Sequence, residues 1–343
     1  MEMRVGVIGY GYWGPNLVRN FVESPHFEVA AVSDLDESKR KRAKMRHPNV
    51  RVTARAEDLV NATDIDLVAI ATPVHTHFDL AMAAIKAGKH VFVEKPITTT
   101  SEEALRLIDE ADKRGVIVAV DHTFLFTGAV RKLKELVAKK ALGNLYYYDS
   151  VRVNLGLFQT DVSVVCDLAV HDFSIIDYLF NARPETISAN GTSHIPGSQK
   201  NVAYITVQHD SGLISHVNVN WLAPVKIRQT LIGGAEKMVV YDDMEPSEKV
   251  KIYDHGVTVA TQPQSEEEIL QMRIGYRKGD VLSPKLDTRE ALAVELDHLA
   301  DCLSNNRMPI NDGKLGARVV QMMEAAERSM CSNGAPVQLK TLM

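Results

Sequence analysis

The sequence predicts two domains: a doubly wound, parallel α/β domain, followed by a domain built on a large, open and mostly antiparallel β-sheet. Three observations predict this fold. A glycine-rich turn follows the first apolar run, short β-branched runs alternate with amphipathic segments up to about residue 124, and longer alternating runs follow. We therefore divide the chain into residues 1–124 and 125–343.

The first domain is expected to contain six parallel strands with helices between them. The predicted strands are Val5–Ile8, Val29–Ser33, Val50–Val52, Leu67–Ala71, His90–Val93 and Val116–Val120. The predicted helices are Pro15–Val22, Glu37–Met45, Phe78–Ala87 and Glu102–Lys113. Gly88 and Gly115 stand where glycine commonly ends a helix, which supports the two later helices.

The second domain is predicted from runs whose apolar residues alternate with polar ones and which are separated by turns. The predicted strands are Leu145–Val153, Val202–His209, Leu213–Trp221, Ile227–Ile232, Lys237–Tyr241 and Val250–Tyr253. The predicted helices are Ala129–Lys139, Arg289–Leu303 and Leu315–Ser332.

Composition bounds the class of protein. The 343 residues are 45% hydrophobic and 24% charged, with a net charge of -5, so we expect a globular protein with no nucleic-acid or membrane partner. The basic run Lys39–Arg42 fits a solvated helix face better than a nucleic-acid patch or a phosphate clamp. Three cysteines without a Cys-x-x-Cys pair, and no leader or membrane-spanning run, predict a cytoplasmic protein.

The glycine-rich turn has the spacing of a dinucleotide-binding loop. Gly9, Gly11 and Gly14 satisfy G-x-G-x-x-G between a strand and a helix, and Asp34 ends the second strand, where a carboxylate binds ribose hydroxyls. The pattern predicts a Rossmann domain that binds NAD. NADP remains possible, because Lys39 and Arg40 follow closely and offset repulsion of a 2′-phosphate.

Several motifs together resemble the glucose-fructose oxidoreductase and inositol dehydrogenase (Gfo/Idh/MocA) family over nearly the whole chain. They are the glycine loop, Ala71-Thr72-Pro73 with His77, Ala87-Gly88-Lys89-His90-Val91 leading to Glu94-Lys95-Pro96, and Asp167-Leu168-Ala169-Val170-His171-Asp172. The resemblance implies a Rossmann domain, a domain with an open antiparallel sheet, and hydride transfer between nicotinamide and a sugar-like alcohol or ketone. It further implies cofactor contacts from Gly9, Tyr10, Gly11, Tyr12, Trp13, Gly14, Asp34, Thr72, Pro73, His77, Glu94, Lys95 and Thr123.

The same resemblance implies a catalytic set of Lys95, Asp167 and His171. Oxidation of an alcohol requires a base of nearly neutral pKa, and an imidazole such as His171 supplies it. A cationic Lys95 would stabilise the developing alkoxide. If residues 167–171 are helical, Asp167 shares a face with His171 and either orients the imidazole or binds a substrate hydroxyl. The pair His75-x-His77 is an incomplete metal site, so no metal is expected.

The substrate is expected to be a sugar. Residues 121–131 and 151–158 resemble a branch of the family associated with nucleotide sugars and surface polysaccharides, which implies oxidation at C3 of a sugar, with a nucleotide-linked sugar as one possibility. Arg152, Asn154 and Tyr276 join Lys95, Asp167 and His171 as candidate substrate contacts. Reduction of a ketosugar and a non-catalytic regulatory role are the alternatives. A homodimer or homotetramer is expected, because alternating apolar strand positions suit a shared sheet face.

Overall fold

The computed structural model describes residues 2–156, 162–259 and 274–342, with the side chains of 257–259 and 274–276 outside that description. Within these ranges the first sheet is parallel. Its strands are β1 (Met3–Ile8), β2 (Phe27–Ser33), β3 (Arg51–Thr53), β4 (Leu67–Ile70), β5 (His90–Glu94) and β6 (Val118–Asp121). Their order, β3-β2-β1-β4-β5-β6, confirms the predicted Rossmann topology.

Helices connect these strands. They are α1 (Gly14–Glu23), α2 (Glu37–Arg46), α3 (Glu57–Val60), α4 (His77–Lys86) and α5 (Ser101–Arg114). Thr100 begins α5 with a capping box that includes Glu103, and Gly115 ends it at φ +66°. Gly88 follows α4 at φ +75°, so both glycines end helices as predicted.

The second sheet is mixed but mostly antiparallel, as predicted. Its strands are β7 (Leu145–Leu155), β8 (Pro184–Thr192), β9 (Val202–His209), β10 (Ile214–Asn220), β11 (Leu222–Gly234), β12 (Met238–Asp242), β13 (Val250–Tyr253), β16 (Val281–Leu282) and β17 (Val337–Gln338). The strands β14 (Gly256–Val259) and β15 (Ile274–Arg277) pair with each other in a separate two-stranded sheet. Only β7 and β10 pair in parallel among the described strands of this sheet. The order is β16-β13-β12-β11-β7-β10-β9-β8-β17.

One face of the second sheet packs on helices. These are α6 (Gly128–Ala138), α7 (Val170–Leu179) and α9 (Gly313–Cys331), with a π-helical turn at Val165–Ala169 directly before α7. Alternate residues of β7, such as Tyr148 and Ser150, face this buried side. The opposite face exposes side chains such as Tyr204 and Ile214.

The last helices return to the first domain. Leu292, Leu296 and Leu299 of α8 (Ala291–Ser304) belong to the same apolar cluster as Val5 and Phe21. Helix α9 spans both cores, because Val319 packs with the second sheet and Val320 with the first. Within the described ranges, no helix has both the length and the apolar content needed to cross a bilayer.

Candidate active site

The glycine loop is shaped by close backbone contacts. Gly9 has φ +97°, and a Cβ atom there would clash with the carbonyl of Ala71. A Cβ atom at Gly14 would clash with the carbonyl of Gly9. At Gly11, by contrast, the nearest atom to a Cβ position is Lys39 Nζ at 3.9 Å. The loop fits a dinucleotide because its backbone at Gly11 is open to a diphosphate, whereas the N–H groups of Asn16 and Leu17 in the first turn of α1 donate to the carbonyl of Trp13.

Asp34 is hydrogen bonded to this loop. Its carboxylate accepts hydrogen bonds from the backbone N–H of Tyr10 at 2.7 Å and of Asp36 at 2.8 Å. Arg42 donates to the carbonyl oxygen of Tyr10 at 2.9 Å and lies over the Tyr10 ring. The Tyr10 side chain is buried, so this residue contributes only backbone to the surface of the loop, whereas Tyr12 is 86% exposed.

Three carboxyl groups lie beneath the loop at the carboxyl ends of β5 and β6. Trp13 Nε1 donates to Asp121 at 2.6 Å, and Thr123 Oγ1 donates to the same carboxylate. Burial raises the pKa of Asp121, and burial together with the charge of Asp121 raises the pKa of Glu94 well above its usual range. The third group, Glu295 of α8, has its pKa raised well above the usual range by burial and by Asp121. The cluster thus favours protonated carboxyls next to the cofactor loop.

His77 connects the two loops at the ends of β4 and β5. Its imidazole is 1% exposed, with Nε2 2.8 Å from the carbonyl oxygen of Thr72 and Nδ1 2.9 Å from that of Pro96. The ring therefore fixes the Thr72-Pro73 loop against the Lys95-Pro96 turn, whose peptide bond is cis. Burial lowers the pKa of His77.

Lys95 and Asp167 are in direct contact. Lys95 Nζ donates to the backbone carbonyl of Asp167 at 3.0 Å and lies 3.4 Å from its carboxylate Oδ1. The other carboxylate oxygen, Oδ2, accepts a hydrogen bond from Trp221 Nε1 at 3.0 Å. Asp167 lies in the π-helical turn, a feature frequent at functional sites. The carboxylate thus holds Lys95 and Trp221, rather than orienting His171 as one sequence interpretation had it.

His171 is the second residue of α7, which follows this turn, and its ring packs on Phe124 with centroids 4.7 Å apart. Burial lowers the pKa of His171 well below its usual range, and the charges of Lys95 and Arg152 lower it further. His122 is 1% exposed, and burial, followed by the charge of Lys95, lowers its pKa to about 3. Both imidazoles are therefore neutral at neutral pH, which is the form that accepts a proton, but the pKa of His171 lies below the nearly neutral value expected from the sequence.

Arg152 is part of a buried ion pair on the inner face of β7. Its Nε donates to Asp172 at 2.8 Å, and the same carboxylate accepts from Ser150 Oγ at 2.6 Å and Tyr148 Oη at 3.2 Å. The arginine expected to contact substrate thus has a structural partner. Asn154 follows on the same side of β7 and is half-buried.

Tyr276 lies on β15, but its side chain is outside the described residues. The next residue, Arg277, forms an ion pair with Asp254 at the sheet edge. Sequence reasoning missed Trp221, Asp121, Glu295 and Arg42. Only Asp121 carried a local signal, because an acid ends a buried strand at the edge where ligands bind.

The fold and the site define an NAD-binding oxidoreductase with a separate second domain. Residues 3–122 match the GFO_IDH_MocA family, described as an oxidoreductase family with an NAD-binding Rossmann fold, and residues 130–240 match the GFO/IDH/MocA C-terminal domain. The chain belongs to the GFO/IDH/MocA oxidoreductase family.

Relatives with known names differ in how much of the chain they match. The uncharacterized oxidoreductase YdgJ of Escherichia coli is 39% identical over 43% of this chain, and the match spans only 42% of that relative. UDP-N-acetylglucosamine 3-dehydrogenase of Acidithiobacillus ferrooxidans is 26% identical over 93% of this chain and 95% of its own length. The NAD(+)-dependent scyllo-inositol 2-dehydrogenase of Bacillus subtilis is 26% identical over 98% of this chain and 96% of its own length.

Solved structures agree on the fold. GenD2 from gentamicin A biosynthesis, crystallised with NAD, has a TM-score of 0.82 at 22% identity and covers 99% of this chain and 97% of its own. The UDP-N-acetylglucosamine 3-dehydrogenase GnnA of Acidithiobacillus ferrooxidans has a TM-score of 0.78 at 24% identity, and the match covers 96% of this chain and 99% of that chain.

Proposed function

We propose that this protein oxidises a secondary alcohol of a sugar with NAD. We further propose that the substrate is a nucleotide-linked sugar and that the oxidised carbon is C3. The observation that carries the proposal is the placement of the Lys95 ammonium on Asp167, at the end of a Rossmann strand and near enough to His171 to lower the pKa of that imidazole. The relative that acts at C3 of UDP-N-acetylglucosamine, similar over most of both chains, supports the finer assignment.

The proposed chemistry separates hydride from proton. NAD held at the Gly9–Gly14 loop would supply the acceptor for the hydride of the carbinol carbon. The neutral His171 imidazole accepts the hydroxyl proton, so that a carbonyl forms without a net positive charge on the sugar. Lys95 donates a hydrogen bond to the reacting oxygen as negative charge develops on it. Asp167 keeps the ammonium in position, and Trp221 keeps Asp167 in position.

The central test replaces Lys95. Lys95→Met should lower kcat by at least about a thousandfold, because it removes a charged hydrogen bond formed with the transition state. The Kd for NADH, measured by nicotinamide fluorescence, should change by less than threefold. Lys86→Met, at the exposed end of α4, is the matched control and should keep wild-type turnover. Turnover of Lys95→Met above one tenth of the wild-type value would reject the proposed role.

A substrate screen separates the rival functions. Nucleotide sugars and free sugars are offered with NAD, the matching ketosugars with NADH, and the position of oxidation is read by NMR of the product. Faster reduction than oxidation across the panel would favour the ketosugar reductase. Tight NADH binding without hydride exchange in either direction would favour the non-catalytic regulator.

We further propose that the protein forms a homodimer or homotetramer through the outer face of the second sheet. Tyr147 and Ile214 are paired across β7 and β10 and are 39% and 48% exposed, and Tyr204 on β9 is 48% exposed. Apolar side chains on an uncovered sheet face favour burial against another copy. A monomeric mass by light scattering at micromolar concentration would overturn this assignment, and Ile214→Glu should shift an oligomer toward monomer.

A further inference from the structure

Two arginines lie directly opposite each other on the inner face of the second sheet. Arg152 of β7 and Arg228 of β11 are register partners in the antiparallel pair. Both guanidinium groups lie over the ring of Phe124, at 4.6 Å and 5.5 Å from its centroid. Like charges directly across a strand pair are destabilising, so each guanidinium needs an anionic neighbour.

Arg152 has such a neighbour within the protein. Its side chain is 5% exposed, and Asp172, which is fully buried, binds both Nε and Nη2 of the guanidinium. A buried pair with this geometry is close to neutral as a unit. The Nη1 atom of Arg152 nevertheless has no hydrogen-bond partner in the part of the chain that the structure describes.

The positive charge of Arg228 is neutralised less completely than that of Arg152. It shares the Asp243 carboxylate with Lys249, at 3.4 Å from Arg228 Nη1 and 3.2 Å from Lys249 Nζ. Two cations and one carboxylate leave this group with one positive charge in excess. The Arg228 side chain is 27% exposed, and its Nε has no hydrogen-bond partner among the described residues. A partly exposed guanidinium in a group with excess positive charge favours binding of an anion from outside the chain.

This positive group lies next to the proposed reaction centre. The Phe124 ring under the two arginines also packs on His171, and the charges of Arg152 and Arg228 both lower the pKa of that imidazole. Phe124 is itself half-buried, so part of its ring is an accessible apolar surface beside the two guanidinium groups. A sugar whose hydroxyl reaches His171 would therefore bring its neighbouring substituents to Arg228.

We propose that Arg228, supported by Arg152, binds an anionic substituent of the substrate, so that the substrate is an acidic sugar rather than a neutral one. The inference rests on the proposed function, because it takes His171 as the group next to the reacting hydroxyl. A carboxylate on the sugar ring and a phosphate attached to it share the chemistry that a guanidinium recognises. The single excess charge at Arg228 favours the carboxylate.

The experiment compares matched acidic and neutral sugars. Glucuronate is paired with glucose, and UDP-glucuronate with UDP-glucose, in steady-state assays with NAD. We expect at least a twentyfold preference in kcat/KM for the uronate within one or both pairs. A preference for glucose 1-phosphate over glucose, with none for the uronates, would assign the subsite to phosphate. Equal kcat/KM for charged and neutral sugars in all pairs would overturn the proposal.

The matched variants are Arg228→Gln and Arg328→Gln, the second at an exposed position in the last turn of α9. Arg228→Gln should reduce the acidic-to-neutral ratio of kcat/KM at least tenfold, and Arg328→Gln should keep it. An unchanged ratio in Arg228→Gln would reject the assigned role. Circular dichroism establishes that each variant is folded.

A binding measurement separates this inference from the proposed chemistry. Glucuronate and glucose are titrated calorimetrically into the complex of the enzyme with NADH, which needs no turnover. Tighter binding of glucuronate, lost in Arg228→Gln, would support the subsite even if no sugar in the panel were oxidised. Equal affinity for the two sugars would overturn the subsite, whatever the turnover assays show.

Discussion

Trp221 donates its indole N–H to the carboxylate of Asp167 over 3.0 Å, and the other oxygen of that carboxylate lies 3.4 Å from Lys95 Nζ. Trp221 lies between β10 and β11, whereas Asp167 lies in the π-helical turn before α7, so the contact connects sheet and helix at the proposed reaction centre. Gly156 permits this packing, since a Cβ atom at that position would clash with the Trp221 ring.

Replacing Trp221 by Phe should therefore act on turnover more than on cofactor binding. A hydrogen bond to a charged group contributes about 1.5–3 kcal/mol, so loss of the indole donor should lower kcat by about tenfold or more. The Kd for NADH should stay within threefold of the wild-type value. Trp13→Phe provides the contrast: its indole binds Asp121 under the cofactor loop, and the variant should weaken NADH binding. A variant Trp221→Phe with unchanged kcat would show that the indole does not position Asp167.

The pH dependence of kcat/KM should reflect the lowered pKa of His171. The imidazole acts as a base only when it is deprotonated, and burial with the neighbouring charges places its pKa well below the usual 6.5. Activity should therefore persist as the pH falls through 6.5, with the acid limb below that value. His171→Asn should lower kcat about a hundredfold or more. An acid limb centred above pH 6.5 would contradict this assignment of the base.

Glu295→Gln should stabilise the protein increasingly as the pH rises. The side chain is fully buried and accepts a hydrogen bond from Asn311 Nδ2 at 2.8 Å. Because its folded pKa is raised well above 4.5, the stability that Glu295 contributes is complete below the unfolded pKa and decreases as the pH rises toward the folded pKa. A glutamine side chain does not ionise, so the Glu295→Gln variant does not lose this contribution to stability as the pH rises.

The measurement is the free energy of unfolding in urea at several pH values from 4 to 8. The difference between variant and wild type should be smallest at pH 4 and grow by up to about 1.4 kcal/mol per pH unit until the folded pKa is reached. A difference that is constant across this range would mean that Glu295 is not held protonated.

Two glycines of the cofactor loop should respond differently to alanine. A Cβ atom at Gly14 would clash with the backbone carbonyl of Gly9, so Gly14→Ala should lower the free energy of unfolding by about 1–3 kcal/mol. At Gly11 the nearest atom is 3.9 Å from a Cβ position, so Gly11→Ala should leave stability within about 0.5 kcal/mol. Gly11→Ala should nevertheless weaken NADH at least tenfold, because the methyl group would occupy the approach to the diphosphate. Equal effects of the two changes on stability would contradict this division.

The sequence predicted those features of the fold that depend on local pattern. The order of strands in the first sheet follows from alternating β-branched and amphipathic segments. The dinucleotide-binding loop follows from the G-x-G-x-x-G spacing of its glycines. Strand β8 was missed, because its run from Pro184 to Thr192 has weak strand propensity. Its pairing is decided by tertiary contacts, such as the hydrogen bond that Ala189 N–H donates to Ser329 Oγ.

The sequence named Lys95 and Asp167 as candidate site residues, and the structure places them in contact, but most contacts within the candidate site could not be predicted. Lys95 follows a buried strand, and such strand ends meet the cofactor loop at one edge of the sheet. The partners of these residues depend on which distant segments the fold brings together. Asp172 binds Arg152 and Trp221 binds Asp167 across 20 and 54 positions of chain, for which no local pattern exists.

The return of α8 to the first sheet has a consequence for biosynthesis. Leu292, Leu296 and Leu299 complete the apolar cluster that includes Val5 and Phe21, so the first domain lacks part of its interior until α8 has been synthesised. A nascent chain halted before α8 leaves that surface uncovered on the ribosome.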